Sequence, residues 1–262
     1  MSDDIIKAAR KVLGTSPRNA ILGTRETILE AAQKVLEQKI GLDAYLTFDT
    51  SPSMEPYRYV VKDQIGQVTT ELLKAEEDIR VSINGIGDHD GRDMLQMYPL
   101  TSKASKLQRS IDGIVNTYGR DEPEAYECLA LAMAQRIPVE SIGRKRAVIL
   151  IADSIPHGMV DAECTQAGSY QRAFRAMSAV CDAFYLVGCR SSMYPLQQQL
   201  LDPSKPEREQ LIPLGEMGGI LPQLLIALVK KTYSSKMLQD YLHRLELENP
   251  PGAQKIKGLL GF

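Results

Sequence analysis

A run of six apolar residues near the middle of the chain most strongly limits the folds available to it. Residues 147–152 carry no polar side chain, which is typical of a strand covered on both faces by other structure. Other strand-like runs lie at residues 42–48, 79–86, 97–100, 183–187 and 210–214. Apolar residues at helical spacing separate most of these runs. The alternation predicts an α/β fold with a doubly wound, mostly parallel sheet and helices on both faces.

The same patterning assigns extra helices to both termini. Two amphipathic helices are predicted within residues 1–41, and we expect them to form an extension that packs on the domain. Residues 42–231 make up the predicted main domain. Residues 232–262 are predicted to be a C-terminal helix followed, after Pro250 and Pro251, by a short tail. The apolar face of that C-terminal helix is expected either to dock on the domain or to bind a partner.

The composition argues against a nucleic-acid-binding or membrane-binding surface. The 262-residue chain has 31 Lys and Arg against 33 Asp and Glu, a formal charge of −2. Aromatic residues make up only 6% of it, so platforms on which bases could stack are few. Its apolar runs fall well short of the ~20 residues of a membrane span, and its start is acidic, unlike a signal peptide. We therefore expect a cytoplasmic protein.

The four cysteines are scattered, and no two of them have the Cys-x-x-Cys spacing. They are Cys128, Cys164, Cys181 and Cys189. Cys181 and Cys189 flank an apolar run, which favours a role as small buried hydrophobic residues. Disulfide pairing and ligation of a soft metal are the less favoured alternatives.

Oxygen-bearing side chains follow the first predicted strand. Asp49, Ser51 and Ser53 recur at two-residue intervals directly after residues 42–48. An acid and two hydroxyls on one turn at the carboxyl edge of a sheet suit a hard divalent cation. Ser53 also precedes Glu55, at the start of the next predicted helix, so its hydroxyl is a candidate helix cap as well. The two roles are compatible.

Two further loops carry acidic residues toward the same edge. Asp153 follows the apolar run at residues 147–152, and Asp121 lies in the turn before a helix predicted at residues 122–137. In parallel sheets, ligands bind outside the carboxyl ends of the strands, so loops from several strands should meet there. Asp121 is expected either to ligate a metal, directly or through water, or to cap the helix that follows it.

Asp49, Ser51 and Ser53, with Asp153 in register, resemble the metal-ion-dependent adhesion site (MIDAS) of von Willebrand factor A (vWA) domains. The resemblance covers roughly residues 42–231 and implies a Rossmann-like α/β fold. In adhesion members of that family a Thr occupies the second loop. Here the candidate is Asp121, because Thr117 lies too early in the sequence.

The loop around Asp121 and the segment after Asp153 resemble an intracellular, prokaryotic-like subset of the family. The first has the form Gly-x-Asp-x-Pro-Glu, and the second continues through Pro156 and His157. Domains associated with atypical kinases belong to this subset. His157 is expected either to approach the rim of the metal site or to shape the turn.

The resemblance implies an Mg²⁺ or Mn²⁺ ion held by Asp49, Ser51, Ser53, Asp121 and Asp153. An open coordination position would then bind the Asp or Glu carboxylate of a protein partner. The implied function is that of a metal-dependent protein–protein interaction module, a subunit or adaptor of an intracellular assembly. Small members of the family often act beside ATPases or in multi-component systems.

An Mg²⁺-dependent hydrolase or phosphotransferase that uses the same sheet edge is the main alternative. Enzymes with an aspartyl nucleophile generally need a second acid two residues later, where this chain has Ser51. It also lacks a phosphate-binding Gly-Lys-Ser/Thr loop and a Gly-x-Ser-x-Gly elbow. We therefore predict a binding protein rather than an enzyme. A scaffold with a vestigial site, which binds through its helical ends, is a third possibility.

The sequence Asp88-His89-Asp90 contains residue types that ligate metals. Gly87 and Gly91 flank it, which favours a solvated loop instead.

Overall fold

The computed structural model describes residues 40–74, 77–89, 94–117, 123–215 and 217–262. The chain divides into two compact units, Met1–Ile40 and Gly41–Phe262. The described residues begin at residue 40, so the helices predicted near the N-terminus lie outside them. The second unit continues to the last residue, so residues 232–262 belong to the same compact unit as the sheet.

Six strands form one sheet in the described part of the chain. They are β1 (Leu42–Asp49), β2 (Ile79–Ile86), β3 (Leu95–Gln96), β4 (Lys145–Ala152), β5 (Ala183–Gly188) and β6 (Glu209–Pro213). Their order is β3-β2-β1-β4-β5-β6, and every neighbouring pair is parallel except β2 and β3. The prediction of an α/β fold with a mostly parallel sheet is confirmed.

The edge strand predicted at residues 97–100 forms earlier, at Leu95–Gln96. At Tyr98, beyond this strand, side chains of β2 take the place of its backbone groups. The Tyr98 amide donates to the Asn84 side chain at 3.0 Å, and the Ser82 hydroxyl donates to the Tyr98 carbonyl at 2.6 Å. Pro99 has no N–H with which to continue a ladder.

Nine α-helices lie within the described residues. They are α1 (Glu55–Asp63), α2 (Ile65–Leu72), α3 (Ala104–Gly113), α4 (Tyr126–Glu140), α5 (Tyr170–Val180), α6 (Tyr194–Gln197), α7 (Leu221–Tyr233), α8 (Ser235–Glu248) and α9 (Pro250–Leu260). None of these helices is both long enough and apolar enough to cross a lipid bilayer.

Strand β1 is buried along its whole length. Leu46 and Phe48 belong to a hydrophobic core that includes residues of α1, α2, α3 and α7. Tyr45 points to the other face, into a second core that includes residues of α4 and α5. The strict alternation of side chains along a strand thus divides the apolar residues between two cores.

The C-terminal segment differs from the predicted tail, because residues after Asn249 continue as helix α9. Pro250 and Pro251 occupy the first turn, where a helix does not need their missing N–H groups. The Asn249 side chain caps this helix by accepting from the Gly252 amide at 3.1 Å. Prolines that suggested a chain break instead start a helix.

Helices α8 and α9 dock on the domain. Their buried apolar residues belong to the same core as β1: Leu238, Tyr241, Leu242, Leu245, Ala253, Ile256 and Leu260. Of the two alternatives for the C-terminal helix, docking is the one that the structure adopts.

Leu242→Ala should lower the free energy of unfolding by about 2–4 kcal/mol, because it leaves a cavity where α8 meets the core. The measurement is urea denaturation of the full chain. Leu247→Ala is the matched control, since Leu247 lies on the same helix with 74% of its surface exposed, and should change stability by less than about 0.5 kcal/mol. Equal effects of the two changes would contradict the docking of α8.

Candidate metal centre at the carboxyl edge of the sheet

The last residue of β1, Asp49, is completely buried at the carboxyl edge of the sheet. Its Oδ1 accepts a hydrogen bond from the Ser51 amide at 2.7 Å. The Tyr126 hydroxyl, at the start of α4, donates to Oδ2. The carboxylate is therefore fixed by its own turn on one side and by a helix on the other.

The hydroxyls of Ser51 and Ser53 lie 3.1 Å apart on a short 3₁₀ turn, Pro52–Met54. Ser51 is 8% exposed, whereas Ser53 is open to solvent. Neither hydroxyl caps a helix. Ser51 precedes the 3₁₀ turn without a side-chain cap, and the residue that precedes α1 is Met54. The capping role expected for Ser53 is not observed.

Asp153 follows β4 directly, and β4 is the parallel neighbour of β1. Burial raises the pKa of the Asp49 carboxyl to about 6, and the negative charge of Asp153 adds to the increase. Hydrogen bonds from Ser51 and Tyr126 act in the opposite direction. Two acidic groups thus repel each other beside two hydroxyls, which is an arrangement that a divalent cation would stabilise.

Asp121 lies outside the described residues. Thr117, which seemed too early in the sequence to contribute, is buried against the turn that holds Asp49. Its amide donates to the Thr50 carbonyl at 3.0 Å, and its hydroxyl lies 2.7 Å from that of Thr50. The contact depends on Gly87, because a Cβ at that position would lie 1.8 Å from the Thr117 hydroxyl oxygen.

A second group of metal-ligating side chains meets nearby: His89, Glu127, Cys128 and Cys164. The expectation of a solvated loop at His89 is wrong for its side chain, whose Nε2 lies 3.1 Å from the Cys164 sulfur and 3.2 Å from Glu127 Oε1. His157 joins this group, with Nδ1 3.3 Å from Glu127 Oε1. No sequence spacing indicated the cluster, because its members come from three distant segments.

Comparison with known proteins identifies a fold but no family. No family model and no curated protein matches the chain. A solved structure that it resembles is the pilus adhesin SpaC from Lactobacillus rhamnosus GG in its open conformation. The two are 13% identical with a TM-score of 0.54, over 75% of this chain and 31% of the adhesin chain. At that identity the similarity shows the fold alone.

Gly87→Ala should cost about 1–3 kcal/mol of stability, because the added methyl group overlaps Thr117 and must displace it. Urea denaturation of the full chain measures the change. Gly258→Ala is the matched control: it adds the same methyl group to α9, where no atom lies within 4 Å, and should be neutral or stabilising by up to ~1 kcal/mol. An unchanged stability of Gly87→Ala would show that Thr117 does not pack there.

Proposed function

We propose that this chain is a metal-dependent protein-binding module of the vWA type. In this proposal Mg²⁺ or Mn²⁺ is held at a MIDAS-type site by Asp49, Ser51, Ser53, Asp121 and Asp153. An Asp or Glu of a partner protein completes the coordination. One observation carries the proposal. The hydroxyls of Ser51 and Ser53 cap no helix and lie 3.1 Å apart, on the turn whose Ser51 amide also holds the Asp49 carboxylate.

The position of these groups in the sheet supports a ligand site. Strands β1 and β4 are neighbours at the centre of the sheet. Beyond β1 the chain adds β2 and β3 on one side, and beyond β4 it adds β5 and β6 on the other. Asp49 ends β1 and Asp153 follows β4, so both lie at the point where the order reverses. Ligands of open α/β sheets bind at this crevice. The doubly wound arrangement of vWA domains, with helices on both faces, is part of the proposal.

The chemistry of the donors supports a hard cation with an open position. Mg²⁺ prefers octahedral oxygen coordination and keeps several waters. The hydroxyls of Ser51 and Ser53 are the proposed direct ligands and carry no charge. Carboxylates that act through water leave the charge of the ion incompletely neutralised. A carboxylate from another protein can then replace a water on the exposed side, where Ser53 faces solvent. We propose a partner of this kind in an ATPase or another multi-component assembly.

Replacing both Ser51 and Ser53 by Ala should weaken Mn²⁺ binding at least ~10-fold, since loss of even an outer-shell partner costs ~10–100-fold. Electron paramagnetic resonance of the purified chain measures free Mn²⁺, and added Mg²⁺ should compete for the site. Ser191→Ala with Ser192→Ala is the matched control, because these exposed serines follow β5 at the same sheet edge. Equal Mn²⁺ affinities of the two double variants would overturn the proposed site.

Partner binding should depend on the same ion. A pull-down from native extract, with Mg²⁺ and then with a chelator, should recover a partner only with Mg²⁺ and only with intact Ser51 and Ser53. A screen for phosphatase and nucleotidase activity tests the alternative function. Metal-dependent turnover that disappears in Asp49→Ala would favour a hydrolase or phosphotransferase over a binding module.

A further inference from the structure

Four donor atoms from three chain segments converge beside the first turn of α4. His89 follows β2, Glu127 and Cys128 belong to α4, and Cys164 lies in the loop after β4. The donor atoms all lie within 4.8 Å of one another. The two sulfurs are 3.5 Å apart, and His89 Nε2 lies 3.1 Å from the sulfur of Cys164 and 3.9 Å from that of Cys128.

These separations are close to the edges of a zinc coordination tetrahedron. Zinc lies about 2.3 Å from sulfur and about 2.0–2.1 Å from nitrogen or oxygen. A tetrahedron with these bond lengths places neighbouring donors roughly 3.3–3.8 Å apart. The 3.5 Å between the sulfurs lies in that range. The distances from His89 Nε2 to Glu127 Oε1 and to the two sulfurs, 3.2, 3.1 and 3.9 Å, fall outside it by at most about 0.2 Å, which a small shift of side chains on binding the ion would correct. A donor set of two thiols, an imidazole and a carboxylate favours Zn²⁺ over Mg²⁺, which prefers oxygen.

The surroundings of the two sulfurs also fit metal-bound thiolates. Cys128 and Cys164 are buried and are not joined by a disulfide. The amides of Gln166 and Ala167 point to the Cys164 sulfur at 3.3 and 3.2 Å, which stabilises a negative charge there.

Neighbouring groups position Glu127 as the fourth donor. It is completely buried, and its Oε2 accepts from the His157 amide at 3.2 Å. The His157 ring lies beside the other oxygen, with Nδ1 3.3 Å from Oε1 but not hydrogen-bonded to it, while Nε2 lies 3.4 Å from Asp88 Oδ1. Outer partners of this kind orient the ligands of metal sites.

We propose that His89, Glu127, Cys128 and Cys164 form a structural zinc site, separate from the proposed Mg²⁺ site. Four protein donors occupy all four positions of a tetrahedral zinc ion. This is typical of structural zinc sites, whereas catalytic sites leave one position to water or substrate. The ion would fasten the end of β2 and the loop after β4 to the start of α4.

The first test is metal analysis of the full chain, purified under a phosphine reductant. We expect about one zinc ion per chain. Replacing zinc by cobalt should produce thiolate-to-cobalt charge-transfer absorption and the visible bands of tetrahedral Co²⁺. Cys128→Ser and Cys164→Ser should each weaken zinc binding at least ~100-fold, the upper end of the ~10–100-fold that an outer-shell change costs.

Two control variants show whether zinc binding depends on this cluster alone. Cys181→Ser removes a buried thiol at the opposite edge of the sheet, before β5, and should leave the zinc content unchanged. The double change of Ser51 and Ser53 to Ala should also retain zinc, so the two metal proposals can fail independently.

A measurement on the unmodified chain covers the case in which a cysteine variant does not fold. Zinc should raise the unfolding temperature. It should also slow the alkylation of Cys128 and Cys164, detected by mass spectrometry, far more than that of Cys181, which burial shields with or without the ion. The proposal is overturned if the reduced chain binds cobalt no more tightly than the Cys128→Ser/Cys164→Ser variant. It is equally overturned if the two cysteines form a disulfide and, once reduced, bind no metal.

Discussion

The hydrogen bond from the Tyr126 hydroxyl to the buried carboxylate of Asp49 ties the first turn of α4 to the end of β1. The next residue, Glu127, faces His89 at the end of β2 and His157 in the loop after β4. One helical turn therefore contacts the ends or following loops of three neighbouring strands. Both proposed metal sites depend on its position, so a displacement of α4 would disturb them together.

The two ends of β1 show how differently the fold treats a buried acid. Burial alone would raise the pKa of Asp43, but hydrogen bonds from Arg80, Ser141 and Arg144 outweigh it and lower that pKa. At the other end, burial and the charge of Asp153 raise the pKa of Asp49. The amino edge is closed by ion pairs, whereas the carboxyl edge has an electrostatic cost that a bound cation would relieve.

Local patterns were enough to predict the main strands and the turn at residues 49–53. An apolar run such as residues 147–152 reports burial on both faces without reference to any distant residue. The patterns were less informative where partners decide the outcome. The edge strand ends at Gln96 because β2 offers its side chains, not its backbone, to Tyr98. Residues after Pro250 form a helix because Asn249 caps it and the core accepts its apolar face.

The sequence by itself determined the α/β alternation and the spacing of Asp49, Ser51 and Ser53, because both are properties of short segments. Only the tertiary structure decided which side chains share a site. Cys164 and His89 are 75 residues apart, and Thr117 and Thr50 are 67 apart, yet each pair is in contact. Their proximity follows from the strand order and the packing of α4, which no local spacing encodes. The sequence predicts where the turn at residues 49–53 lies, whereas the fold determines which side chains surround that turn and give it a chemical role.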